Sequence, residues 1–305
     1  MWLTYAFATF VLWGIWGAFL GKPTEHGFPE TLSYVVWAIM TIPPAVGILA
    51  ADRFRIATHR KAILYGALVG LTGCGGQVAL FKVIAIGGPP YLVFPILALA
   101  PLITVILSFL LLGERTGKLG AVGVTLALVS IVVLTIAQQQ QGGEAAQGPL
   151  WLIASLGILL AWGVQAYFMK VANNHMNSAS VCFYNTVTAV LLIPLTLWMT
   201  DFDQPINWGF HGPYLAAIVQ SLNAIGFVTY VLAFKYGKAL IVAPLGNASP
   251  LLTVIITLAI EQRLPRQIEG AGIVLCLLAA TFMVVDEQRH QPEPQEQSPS
   301  SPPAD

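Results

Sequence analysis

The chain has 305 residues, of which 56% are hydrophobic and only 9% are charged, whereas an ordinary soluble domain has about a quarter of its residues charged. Fourteen basic residues balance fourteen acidic ones, so the chain offers no basic face and we expect no nucleic-acid partner. These proportions exclude an ordinary soluble protein and predict one that lies in a lipid bilayer.

Apolar runs of helix length follow one another along the whole chain. A helix needs about 20 residues to cross hydrocarbon that is ~30 Å thick, because each residue advances the helix by ~1.5 Å. The runs do not alternate polar with apolar residues, as the strands of a membrane barrel do. We therefore predict an all-α membrane protein with ten transmembrane helices at 2–20, 31–50, 62–81, 91–112, 119–137, 150–169, 180–199, 213–234, 240–260 and 268–285.

A polar, glutamine-rich linker divides the chain near its middle. It predicts a first five-helix repeat at 1–137, a linker at 138–148 and a second five-helix repeat at 149–286. The tail at 287–305 is rich in Gln, Pro and Ser, which is typical of disorder. Most Lys and Arg residues fall on one side when the N-terminus is placed inside, so both termini are predicted to be cytoplasmic.

The two predicted repeats share landmarks in the same order. Because each repeat has an odd number of helices, the second enters the membrane from the opposite side. This is an inverted-topology repeat, an architecture of secondary transporters that work by alternating access. The matched landmarks are Trp13-Gly14 and Trp162-Gly163, Tyr34 and Tyr184, Ile42-Pro43 and Ile193-Pro194, Phe81-Lys82 and Phe234-Lys235, Pro101 and Pro250, and Gly120 and Gly270.

The chain resembles the EamA-type members of the drug/metabolite transporter superfamily over residues 1–286. The resemblance rests on the five-plus-five arrangement, the Trp-Gly pair in the first helix of each half, and the sequence Leu-Leu-Leu-Gly-Glu-Arg at 110–115 followed by Gly120. It implies ten helices, cytoplasmic termini and transport of amino acids, metabolites, drugs, sugars or nucleotide sugars. The second half departs from this pattern, because no glycine precedes Glu261 in the corresponding sequence at 261–263.

Two helices at matching positions are interrupted by proline or glycine, which is the best sequence indication of a transporter site. Pro95 and Pro101 interrupt the fourth run, and Pro244 and Pro250 interrupt the ninth. A proline frees a carbonyl in the preceding turn, and that carbonyl could bind a substrate hydroxyl or amine. The alternative is that each proline only bends its helix. Asn247 and Ser249 lie between the breaks and are predicted to contact substrate.

Other polar and aromatic residues lie inside the predicted spans. An unpaired amide in hydrocarbon costs several kcal/mol, so these groups should face the bundle interior. There they could contact substrate, or they could form interhelical hydrogen bonds worth roughly 0.6–2 kcal/mol. Ring systems among them could line a cavity. The candidates are Gln77, Gln165, Asn185, Gln220, Asn223, Tyr230, Trp13, Trp16, Trp37, Trp162, Tyr167 and Tyr184.

The sequence Phe-Tyr-Asn-Thr at 183–186 resembles the Phe-Tyr-Asn-Asn motif of nucleotide-sugar transporters, which contacts the nucleotide. That branch pairs the motif with Gly-Ala-Leu-Asn-Lys in the ninth helix, whereas this chain has Gly-Asn-Ala-Ser at 246–249 and lacks the lysine. Lys82 and Lys235 lie at helix ends and suggest either gating of an anionic substrate or contact with lipid headgroups.

No apolar run has a carboxylate at its middle, and the five histidines all lie in predicted loops or in the tail. The sequence therefore predicts no catalysis, no metal site and no cofactor. It favours a secondary transporter for a small neutral or zwitterionic polar metabolite in the plasma or inner membrane. The alternatives are a nucleotide-sugar exchanger and a membrane sensor or receptor that does not transport. The expected partners are a small-molecule substrate and the bilayer, and a homodimer stays an open alternative to a monomer.

Overall fold

The computed structural model describes residues 1–85, 97, 99–139, 150–262 and 264–290, and within them every regular element is helical. Pro95, most of the linker and the end of the tail lie outside these ranges. A single π-helical turn at Phe210–Tyr214 precedes α11. The helices are α1 (Trp2–Phe19), α2 (Lys22–Glu25), α3 (Glu30–Met40), α4 (Ile42–Ala51), α5 (Arg60–Ala85), α6 (Ala100–Leu111), α7 (Lys118–Gln139), α8 (Leu150–His175), α9 (Ser178–Leu191), α10 (Ile193–Trp198), α11 (Leu215–Tyr236), α12 (Ala239–Gly246), α13 (Pro250–Glu261) and α14 (Gln267–His290).

The described helices confirm an all-helical protein with several membrane-spanning segments. Seven stretches are long and apolar enough to cross a bilayer, at Trp2–Glu25, Glu30–Ala51, Arg60–Leu80, Leu150–His175, Ser178–Trp198, Phe210–Tyr236 and Ala239–Ile260. Three further apolar helices are shorter, at Ala100–Leu111, Lys118–Val133 and Gln267–Met283. Seven of the ten predicted spans are therefore long and apolar enough to cross a bilayer within the described residues.

Prolines divide several spans into two helices. Pro43 follows the first residue of α4, and Pro194 follows the first residue of α10. Proline is tolerated in the first turn of a helix, where no intrahelical partner awaits its missing N–H group. The ninth span is divided differently, because α12 ends at Gly246 and α13 begins at Pro250. The matched landmarks therefore mark the points at which the second and seventh spans are divided into two helices.

The two halves are packed against each other in a crossed manner. The first helix of the first half, α1, packs on α11 and α13 of the second half. The first helix of the second half, α8, packs in the same way on α5 and α6. The last spans, α7 and α14, lie side by side. Each half thus supplies the packing surface of the other.

Two equivalent hydrogen bonds repeat this arrangement at the level of atoms. The Thr104 hydroxyl donates to the carbonyl of Gly163 over 2.9 Å, and the Thr253 hydroxyl donates to the carbonyl of Gly14 over 2.9 Å. Both glycines are closely packed, since a Cβ at Gly14 would lie 2.6 Å from Leu252 and one at Gly163 would lie 2.5 Å from Ile103. These contacts confirm an architecture of two related repeats.

The indole contacts of Trp13 and Trp162 define how the third and eighth spans correspond. Trp162 Nε1 donates to the carbonyl of Gly73 over 3.3 Å and lies against Gly76. Trp13 Nε1 donates to the carbonyl of Asn223 over 3.3 Å and lies against Gly226. Gly73 and Gly76 therefore correspond to Asn223 and Gly226.

This correspondence corrects the matching of Lys82 with Lys235. The tryptophan contacts give a sequence offset that pairs Lys82 with Leu232, one helical turn before Lys235. Both lysine side chains are exposed, so packing does not hold either of them to a fixed register. The glycines under the indoles, rather than the exposed lysines, therefore fix the alignment of the two spans.

Candidate functional site

Three of the predicted site residues come together inside the bundle. The rings of Trp13 and Tyr230 pack with their centroids 4.9 Å apart. Asn247, just after the end of α12, donates from Nδ2 to the Tyr230 hydroxyl over 2.9 Å and to the carbonyl of Ala243 over 2.9 Å. A Cβ at Gly246 would lie 2.6 Å from the Tyr230 ring, so glycine allows the broken helix to approach this close.

A second group of polar and aromatic residues extends this cluster along α11. Trp37 Nε1 donates to Asn223 Oδ1 over 2.8 Å, and Trp16 Nε1 donates to Gln220 Oε1 over 3.1 Å. Gln220, Asn223 and Tyr230 lie three or seven residues apart and share one helix face. The sequence spacing could have united them, because positions three and seven apart fall on the same side of a helix.

The equivalent region of the other half contains Trp162, Gln165 and Gln77. A Cβ at Gly73 would lie 1.8 Å from Gln165 Nε2, so the amide of Gln165 lies directly over the backbone of α5. Gln165 and Gln77 are both half-buried, and no hydrogen bond to a described residue involves either amide. The Ser249 hydroxyl is also half-buried and makes no side-chain hydrogen bond to a described residue. These groups are free to meet water or a solute.

Tyr184 and Asn185 lie elsewhere. The Tyr184 hydroxyl donates to the carbonyl of Ala57 over 2.8 Å, in the loop between α4 and α5. Asn185 is 2% exposed, and Cys74 donates to its backbone carbonyl over 3.5 Å. Among the described residues, no hydrogen bond or ring contact joins Tyr184 or Asn185 to Asn247. The structure uses both side chains in packing between helices.

The described prolines predicted to break helices lie within or at the start of helices, and the lysines predicted to gate lie at the surface. Pro101 is buried in the first turn of α6, and Pro244 is buried within α12. Pro250 begins α13, and Pro95 lies outside the described residues. Lys82 and Lys235 are exposed, and Lys235 Nζ lies 5.3 Å from the ring centroid of Tyr236. The described prolines thus border the ends of α6, α12 and α13, and the two lysines stay at the surface.

The cluster around Trp13, Asn223, Tyr230 and Asn247 contains amides, hydroxyls and rings but, among the residues that the structure describes, no ionisable carboxylate or amine. Within the described part of the chain, no group of three or more His, Cys, Asp or Glu side chains could hold a metal ion. Chemically the cluster can bind a solute through neutral hydrogen bonds and ring contacts.

A family model for EamA-like transporters matches the chain twice, at residues 1–136 and 149–285. The chain belongs to the EamA-like transporter family. Membership makes this EamA-like protein a multi-pass membrane protein of the drug/metabolite transporter superfamily, whose members are transporters. A crystal structure of a protein with 19% sequence identity superimposes with a TM-score of 0.75, covering 93% of this chain and 97% of that chain. That likeness concerns the fold alone. No curated protein sequence matches the chain.

Proposed function

We propose that this EamA-like protein is a secondary transporter that moves a small neutral or zwitterionic polar solute, such as an amino acid or a sugar, by alternating access. The proposal includes ten transmembrane helices in two inverted five-helix repeats at 1–137 and 149–286. It also includes cytoplasmic N- and C-termini. The proposed site is formed by Trp13, Trp162, Gln77, Gln165, Tyr230, Asn247 and Ser249, with Tyr184 and Asn185 acting through helix packing.

The observation that supports the substrate class is the set of neutral polar groups that form no hydrogen bond to any residue that the structure describes. Gln77, Gln165 and Ser249 lie within the apolar part of the bundle, where an unpaired amide costs several kcal/mol. Water or a polar solute would supply the missing hydrogen bonds. Because the described cluster lacks a charged side chain, a solute with net charge would lack a counter-ion there. A neutral or zwitterionic solute avoids that penalty.

The crossed packing supports alternating access. In one packing group α1 lies with α11 and α13, and in the other α8 lies with α5 and α6. The two groups are built from corresponding helices, since each combines the first helix of one half with the third and fourth spans of the other. Two related groups that face each other across a central site can exchange their positions between an inward-open and an outward-open form.

The proposal is tested by counterflow in proteoliposomes loaded with serine, glucose or UDP-glucose and supplied with the same radiolabelled compound outside. We expect accumulation of serine or glucose and none of UDP-glucose. Asn247→Ala should lower the initial rate about fivefold, because one lost hydrogen bond is worth roughly 1 kcal/mol. Thr281→Val, on an exposed face of α14, serves as the matched control and should leave the rate unchanged.

Other results would assign the protein differently. Accumulation of UDP-glucose alone would support a nucleotide-sugar exchanger. A thermal shift on binding serine or glucose, without counterflow of either, would support a sensor or receptor. An unchanged rate in Asn247→Ala would remove this residue from the proposed site.

A further inference from the structure

The turn between α11 and α12 lies at the end of the bundle that contains the N-terminus, here called the N-terminal face. Its glycine, Gly237, is closely packed, since a Cβ there would lie 2.6 Å from Val242 and 3.2 Å from Trp2. The turn presents two helix ends side by side: the last carbonyls of α11 and the first amides of α12. Helix ends leave such groups without intrahelical partners.

Two charged side chains satisfy these groups, and each has the sign that its helix end favours. Lys170 Nζ donates to the carbonyls of Phe234 and Gly237 over 3.0 and 2.6 Å, at the C-terminal end of α11. The backbone N–H of Leu240 donates to Glu114 Oε2 over 3.0 Å, at the N-terminal end of α12. A cation at a helix C-terminus and an anion at a helix N-terminus are the favourable combinations with the helix dipole.

Lys170 and Glu114 come from the other packing group. Lys170 is near the end of α8, Glu114 follows α6, and α6 and α8 pack on each other. The end of α11 belongs to the group that contains α1, α11 and α13, and α12 packs both on α1 of that group and on α6 of the other. Both side chains are described, and they do not form an ion pair with each other. Their hydrogen bonds therefore join the two packing groups at the N-terminal face.

The helix that begins at this turn lies between the candidate site and the N-terminal face. All eight residues of α12 are buried, and Asn247 follows its last residue. Eight residues extend a helix by ~12 Å, so α12 fills roughly that length between the turn and Asn247. Movement of α12 away from α6 and α8, on which it packs, would open a path from the N-terminal face to Asn247. That movement would break the bonds of Glu114 and Lys170.

We propose that Glu114 and Lys170 form a latch that keeps the candidate site closed toward the N-terminal face by holding the two helix ends of the α11–α12 turn. The latch rests on the proposed function, because a latch has a role only where the site opens alternately to the two faces. It assigns the two charges a gating role at the turn and leaves solute binding to the neutral cluster.

The test measures access to the site and needs no knowledge of the solute. Ser249→Cys is introduced, and a membrane-impermeant maleimide is added to vesicles from the side of the N-terminal face. An exposed reporter, Arg115→Cys, identifies that side by its rapid labelling. The three native cysteines are buried, and the parent chain provides their background labelling.

We expect Glu114→Gln and Lys170→Met each to raise the labelling rate of Ser249→Cys about fivefold or more. This factor corresponds to a loss of roughly 1 kcal/mol from the free energy that favours the closed form. Lys235→Met, an exposed lysine beside the same turn, is the matched control and should not change the rate. Lys170→Arg should keep the site closed, because it retains a cation. Unchanged labelling in both Glu114→Gln and Lys170→Met would overturn the latch.

A charge exchange separates the latch from an ordinary ion pair. In the double variant Glu114→Lys with Lys170→Glu the two charges still attract each other, but each now faces the helix end of its own sign. The latch predicts that labelling stays raised. Labelling restored to the parent rate would overturn it. Because these readouts use no solute, a failed latch is distinguishable from failed counterflow, which would count against the proposed function instead.

Discussion

Gly75 and Gly76 are neighbours in α5, but only Gly76 faces another side chain. A Cβ at Gly76 would lie 2.5 Å from Trp162 Nε1, whereas a Cβ at Gly75 would meet nothing within 4 Å. The indole is held by its hydrogen bond to the carbonyl of Gly73 and cannot easily withdraw.

We therefore expect Gly76→Ala to lower the free energy of unfolding by about 1–3 kcal/mol through overpacking. Gly75→Ala should be neutral or should raise it by up to about 1 kcal/mol, because alanine favours the helix. Denaturant unfolding of both variants in detergent micelles checks the difference. Equal effects of the two substitutions would contradict the packing of Trp162 on this glycine.

The ends of α6 and α13 show where sequence reasoning at single positions succeeds and where it fails. Gly113 follows α6 with φ +66°, the left-handed conformation that glycine adopts without strain. Gln262 follows α13 with φ +51°, so the second half keeps the same helix end without a glycine. From the sequence, the second half is expected to differ from the first at this helix end, because left-handed backbone is predicted only at a glycine. Gln262 is exposed, and this conformation costs a residue other than glycine about 1 kcal/mol.

At the scale of helices, the equivalent bonds of Thr104 and Thr253 should contribute equally. Thr104→Val and Thr253→Val each remove one hydroxyl bonded to a glycine carbonyl of the opposite half. We expect each to lower the free energy of unfolding by about 0.6–1.7 kcal/mol, the usual value for interhelical bonds in membranes. The control is Thr281→Val, whose exposed hydroxyl bonds only within its own helix, to Leu277. Unequal losses for the two variants would contradict equivalent roles in the repeats.

The helices themselves were largely predictable, but their partners were not. Proline sequences such as Ile42-Pro43 locate bends because the effect of proline on backbone hydrogen bonding is local. The contact of Trp13 with Asn223 joins residues 210 positions apart, and no local rule selects that partner. For the same reason the sequence could not select Ala57 as the partner of the Tyr184 hydroxyl. The composition and length of apolar runs identify membrane helices, whereas the complementary shapes of their surfaces decide how the helices assemble.

For the whole molecule, the loops divide between two faces. The loop that contains Arg115 lies with the N-terminal face, because Glu114 bonds to Leu240 beside Gly237 and Trp2. The loops near Asp203 and Gly27 lie together at the other end, where Asn207 N donates to the carbonyl of Gly27 over 3.0 Å.

We expect cysteines at these two loops to react from opposite sides of intact cells. Arg115→Cys should react with an impermeant maleimide only after the cells are opened, and Asp203→Cys should react before, since the N-terminal face is proposed to be cytoplasmic. Both positions are exposed, so labelling does not depend on unfolding. Labelling of both cysteines from the same side would contradict the arrangement of the faces.

The crossed packing of α1 on α11 and α13, and of α8 on α5 and α6, has a consequence for synthesis on the ribosome. When translation has produced only the first half, the surfaces that α1, α5 and α6 will bury have no partner. At ~5–20 residues per second, α5 and α6 wait roughly 1–5 s for α8, whereas α1 waits roughly 6–22 s for α11 and α13. The final helix, α14, then covers α7, the last helix of the first half. The nascent first half therefore depends on lipid or on the insertion machinery to shield it. Native assembly can begin with α8 and is completed only when α11, α13 and α14 have been made.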